Sequence, residues 1–216
     1  MLVLFNVETT RTARNDPTFY PFQLHKAEYW SIEHIQAQNS ENFDPNKKKP
    51  WIDWIAIHLE LLKDQRSDDN TTVDKIIEQL EKVEEENINW DEFQKIFQEV
   101  IKYFSEVGDK DTERLHTISN LALLTDSSNS ALNNAVFLAK RNKIIDLDKK
   151  GHYIPICTKR LFLRYYGEVS KLDQVRFWTA LDRKYYFISM LEMLFPYLND
   201  KNKSLLEKLK NNPKDE

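Results

Sequence analysis

Three times between Trp51 and Phe104 the apolar residues of this chain recur at helical spacing, and this block most restricts the fold. The rows are Trp51, Ile55, Leu59 and Leu62; then Val73, Ile76, Ile77, Leu80 and Val83; then Phe93, Ile96, Phe97, Val100, Ile101 and Phe104. Each row is one face of an amphipathic helix, and each face needs an apolar partner. On either side of the block lies a short segment of strand character. "YWSIEHI" at 29–35 is rich in aromatic and β-branched residues, and "NLALLT" at 120–125 is an apolar run of strand length. With residues 41–115 set aside as a helical insertion, what remains reads strand, strand, helix. The fold expected is therefore mainly α with a small two-stranded core, of α+β class.

The remaining segments are expected as follows. The first thirty residues read as irregular, because "NDPTFYPF" carries two prolines and turn residues. "QNSENFDPNKKKP" reads as a polar loop. After the second strand, Leu132, Val136, Ala139 and Lys143 give a helix one face, with Ser128 or Asn129 as its cap. "YIPICT" is extended around Pro155, and "KRLFLRYY" is a short helix. Phe177, Trp178, Leu181, Tyr185, Ile188, Leu191 and Leu194 predict a long buried helix from Gln174 to about Leu198. The polar end "NDKNKSLLEKLKNNPKDE" is expected to fray. The whole is read as one domain: core 28–40 plus 116–166, helical insertion 41–115, and C-terminal helices 167–216.

Composition narrows the function. Gly108, Gly151 and Gly167 are the only glycines and stand apart, so a glycine-rich phosphate loop has no residues to form from. A single cysteine, Cys157, rules out an internal disulfide framework and thiolate zinc clusters and fits a reducing cytoplasm. No apolar run approaches the roughly 20 residues of a membrane span. The start "MLVLFNVETT" is too short and too quickly charged for a signal peptide. The net charge of −4 conceals an asymmetry. Residues 74–106 hold ten Asp/Glu and four Lys/Arg, whereas residues 116–166 hold three Asp/Glu and eight Lys/Arg. A basic face on an acidic chain suits a phosphate-bearing ligand, although solvated helix faces give the same counts.

A strand–strand–helix unit can gather the end of its first strand, the loop after its second and the start of its helix. Those points carry Glu33-His34, Asn120 and Asn129. Hard cations such as Mg²⁺ take oxygen ligands, and an imidazole beside one can accept a proton from an attacking water. The ordered set "IEHIQAQN" and "ISNLALLTDSSNSALNNAVFLAKR" resembles an HNH (ββα-metal) endonuclease motif, above all the C-terminal nuclease domain of GmrSD-type modification-dependent restriction endonucleases. The separation of Asn120 and Asn129 is also similar to that in HNH domains of CRISPR effector nucleases. "WSIEHI", "YIPICTKRLFLRYY", Trp178 and Asp182 extend the likeness over most of the chain. Glu33 stands where many HNH enzymes have Asp, and Ala37 where a proline is common.

The resemblance implies an endonuclease hydrolysing DNA, with RNA as an alternative substrate, dependent on Mg²⁺, Mn²⁺ or another divalent cation. It implies His34 as general base, Asn120 as the residue holding the loop that bears it, and Glu33 and Asn129 as metal ligands. Lys140 or Arg141 would meet a phosphate, and Asn134 would be a nucleic-acid contact or a structural residue. His116 would stand near the site. The restriction proteins also carry an N-terminal sensing or nucleotide-using region, which nothing in this sequence resembles; the chain reads as a fragment or truncated relative. The competing reading is a catalytically silent HNH-like module that binds nucleic acid or a protein.

Overall fold

The structure is a computed structural model that describes residues 1–13, 19–36, 43–64, 71–83, 88–108, 117–126, 134–167 and 177–211. In chain order its elements are α1 (Leu2–Arg11), α2 (Phe22–Ala27), β1 (Trp30–His34), α3 (Lys48–Asp64), α4 (Thr71–Glu81), α5 (Trp90–Gly108), a 3₁₀ turn (Ile118–Asn120), β2 (Leu121–Thr125), α6 (Phe137–Lys149), α7 (Ile156–Phe162), α8 (Ala180–Met193), a second 3₁₀ turn (Phe195–Tyr197) and α9 (Asp200–Asn211). The fold is mainly α with one small sheet. No helix among the described residues is long and apolar enough to cross a membrane.

β1 and β2 pair antiparallel, with Glu33 opposite Ala122 and His34 opposite Leu121. A two-stranded sheet is marginal alone and draws its stability from what covers it. The carbonyls of β2 are met by side chains from two helices. The Thr158 hydroxyl donates to the Leu123 carbonyl at 2.7 Å, and the Tyr186 hydroxyl donates to the Leu121 carbonyl at 3.1 Å. These bonds tie β2 to α7 and α8.

Two apolar cores result. One gathers Trp51, Trp54, Leu62, Val73, Phe93, Phe97 and Val100 from α3, α4 and α5, and takes in Ala135, Val136 and Ala139. The other gathers Leu2, Phe5, Ile35, Ala122, Leu124, Phe137, Ile144, Phe162, Trp178 and Tyr186. Helix α6 and the residues leading into it therefore belong to both.

Several expectations need correction. Residues 2–11 are helical, not irregular: Asn6 and Thr10 bond back to the carbonyls of Leu2 and Asn6, and Leu2 and Phe5 are buried. Asn6 Oδ1 also accepts the Cys157 N–H at 2.9 Å, joining α1 to the first turn of α7. Helix α3 begins at Lys48 rather than after Pro50, since proline is tolerated in a first turn. Ile156, Cys157 and Thr158 belong to α7, with Pro155 as its N-cap, instead of an extended segment. Helix α8 is shorter than expected because Thr179 and Asp182 form a capping box that starts it. Its buried face is Tyr186, Met190 and Leu191. The C-terminal segment forms α9, anchored by buried Leu206.

Candidate functional site

The end of β1 is the best-anchored stretch near the expected site. Side chains alternate along a strand, so Glu33 turns inward while Ile32 is 57% exposed and His34 is half-buried. Asn120, fully buried where the 3₁₀ turn runs into β2, grips the residues that follow. Its backbone carbonyl accepts the Ile35 N–H at 2.8 Å. Its side-chain oxygen accepts the Gln36 N–H at 3.0 Å across 84 positions of sequence. An amide carrying both donor and acceptor can serve a backbone edge in this way.

Helix α6 delivers the third group. Lys140 is 1% exposed, and its ammonium donates to Glu33 Oε1 and to the His34 carbonyl, each at 2.5 Å. Burial pushes the Glu33 carboxyl up and the Lys140 ammonium down, and their mutual attraction opposes both shifts. The expectation that Lys140 reaches a phosphate does not survive this placement, because its charge faces the interior and is already matched. Arg141, the next residue, is half-buried and differently situated. Its Nε is buried and has no hydrogen-bond partner among the described residues. Burial, and then the Arg164 guanidinium, lower its pKa. Arg164 itself is bonded to Asp182 Oδ2 and to the Phe177 carbonyl, each at 2.7 Å.

Asn134, expected as a nucleic-acid contact or a structural residue, has a structural place. It is buried, its φ of 55° lies in the left-handed region that Asn tolerates, and its carbonyl accepts the Trp54 indole N–H at 3.0 Å. It turns the chain into α6. The helix starts with Val136 as N-cap and no side-chain cap bond, and the expected caps Ser128 and Asn129 lie outside the described residues. The Val136 N–H donates to His58 Nε2 at 3.2 Å. His58 Nδ1 therefore carries the proton and donates to the Trp54 carbonyl at 2.6 Å. Fully buried, His58 has its pKa lowered to about 4, chiefly by burial. Trp54 and His58 were not singled out from the sequence as partners of the site. Their spacing of four on an apolar helix face was the available signal. Lys140 likewise stands four from both Val136 and Ile144, on the buried side of α6.

Asn129 and His116 lie outside the described residues. A hard cation would find one carboxylate here, Glu33, which is buried and engaged through Oε1 by Lys140. The donor type fits Mg²⁺ or Mn²⁺. Among the described residues no group of three His, Cys, Asp or Glu side chains stands together. Comparison with protein-family models, curated proteins and solved structures finds no match to this chain.

Proposed function

We propose that this chain is an HNH-type endonuclease that hydrolyses DNA phosphodiester bonds with a divalent cation, acting in the cytoplasm as the nuclease part of a restriction or phage-defence protein. One observation carries the reading. Asn120 and Lys140, far from β1 in sequence, converge on Glu33, His34, Ile35 and Gln36 and fix four consecutive residues. Holding a histidine-bearing segment so firmly suits a group that must meet a water molecule in one geometry. His34 takes the proton of the attacking water, and Asn120 keeps its backbone in place. Glu33, with Asn129, would hold the cation, which when bound would stabilise charge on the phosphoryl and leaving oxygens. Arg141 supplies a cation for a neighbouring phosphate.

The test is nicking of supercoiled plasmid in Mg²⁺ or Mn²⁺, with and without chelator. Cleavage that stops on chelation supports the reading, and cleavage that persists removes the metal from it. The Glu33–Lys140 pair favours a second reading, in which the carboxylate is only an internal counterion and the module binds without cutting. DNA retention without cleavage in any metal would favour that alternative.

A further inference from the structure

The feature that calls for explanation is a lysine in the core. Lys140 is 1% exposed and shares the buried side of α6 with Ile144, a position where an apolar residue is the usual choice. Replacing a buried ion pair with apolar residues of similar volume is often neutral or stabilising, so packing alone does not account for it. Its bonds do. They go to the side chain of Glu33 and the carbonyl of His34, two consecutive residues at the end of β1. The two residues after them are held by Asn120, the last residue of the 3₁₀ turn before β2. The anchors are interior, with Asn120 at 0% exposure.

We propose that Lys140 is the positioning residue of the site: from inside the fold it fixes the end of β1, holding the Glu33 carboxylate by Oε1 in one orientation towards a hard cation, and holding His34 by its carbonyl. The role at the cation rests on the endonuclease reading; the role at the backbone does not. A lysine ammonium has three donors and no acceptor, so it can bridge a carboxylate and a carbonyl at once. Methionine of similar length can do neither. Groups that orient a metal ligand typically change metal affinity by about 10–100-fold when removed.

Lys140→Met and the double variant Lys140→Met/Glu33→Gln, which leaves no unpaired buried charge, test this in the full chain. Amide hydrogen exchange, Mn²⁺ titration by electron paramagnetic resonance and plasmid nicking are measured on both and on the parent. In folded Lys140→Met, exchange at Ile35 and Gln36 should rise about 10-fold or more while α4 and α5 keep their protection. Mn²⁺ affinity should fall about 10–100-fold. The double variant should regain thermal stability yet keep the fast exchange, because the bond to the His34 carbonyl is still missing. Parent-like exchange at Ile35 and Gln36 in either folded variant, or a uniform loss of protection everywhere, would overturn the proposal and leave Lys140 a packing residue. If Lys140→Met does not fold, the double variant decides. A parent protein that binds no Mn²⁺ and nicks nothing sinks the endonuclease reading, and exchange alone then decides whether Lys140 positions β1.

Discussion

His34 and Glu33 are neighbours with opposite exposures, and that difference determines how each tolerates change. His34→Ala removes a half-buried ring whose backbone carbonyl stays bonded to Lys140. Turnover should fall by roughly 10²–10⁴, the usual contribution of a general base, with the melting temperature and Mn²⁺ binding nearly unchanged. Parent-rate nicking by this variant would remove His34 from the chemistry. Glu33→Ala leaves the buried Lys140 ammonium without its counterion, a change that typically costs about 3–5 kcal/mol. Loss of stability should therefore accompany loss of metal binding; Glu33→Gln keeps a hydrogen-bond acceptor for the ammonium but also removes its counterion, so metal binding is read on folded protein beside the melting temperature. Arg141→Ala should weaken binding to all DNA sequences alike and lower the slope of log affinity against log salt by about 1. An unchanged slope would mean that Arg141 meets no phosphate. Glu33, His34 and Asn120 were legible because they are polar residues at fixed points of a strand–strand–helix pattern. The inward turn of Lys140 was not, since a Lys-Arg pair on a helix reads as a solvated basic end. Only the spacing from Val136 to Lys140 to Ile144 separates one residue of the pair from the other.

At the level of elements, the joint between α3 and α6 is built on a neutral histidine. His58 accepts the Val136 N–H through Nε2, which a protonated imidazole cannot do. Its pKa is lowered to about 4, whereas an unfolded histidine titrates near 6.5. Between those values the unfolded chain binds more protons than the folded one, so stability rises with pH there. The contribution is complete above about pH 6.5 and is lost as pH falls towards 4; at about 1.4 kcal/mol per unit it amounts to about 3 kcal/mol. Urea unfolding at pH 7.5 and pH 4.5 should show this loss, and His58→Gln should flatten that part of the pH dependence. A parent-like pH profile in the folded variant would assign the acid sensitivity to other groups. The insertion helices were legible from periodicity alone, because each buries one broad stripe. Helix α1 was not: its Asn and Thr side chains bond to carbonyls one turn back, and its stability comes from Leu2, Phe5 and the Asn6–Cys157 bond, contacts that local propensity does not record. The C-terminal α9 was missed for a related reason, since one buried residue, Leu206, anchors a mostly polar segment.

For the whole molecule, the decisive fact is that α6 lies between the two apolar cores. Ala135, Val136 and Ala139 close the core of α3, α4 and α5, while Phe137 and Ile144 lie in the core beneath the sheet. Phe137 stacks on Phe162 and Trp178, at centroid distances of 5.5 Å, so the helix is packed on both sides. If the insertion opened alone, it would uncover apolar residues of α6 and break the Trp54–Asn134 and His58–Val136 bonds. The two cores should therefore unfold together. Leu62→Ala offers a sharp test, because Leu62 is fully buried in the insertion and far in sequence from the strands. A cavity there should cost about 2–5 kcal/mol. The midpoints from tryptophan fluorescence and far-ultraviolet circular dichroism should fall together, and limited proteolysis should release no stable piece bounded near residues 43 and 108. Separate transitions, or a variant in which residues 43–108 melt first while nicking persists, would show that the insertion is an independent unit and that α6 does not couple it to the end of β1.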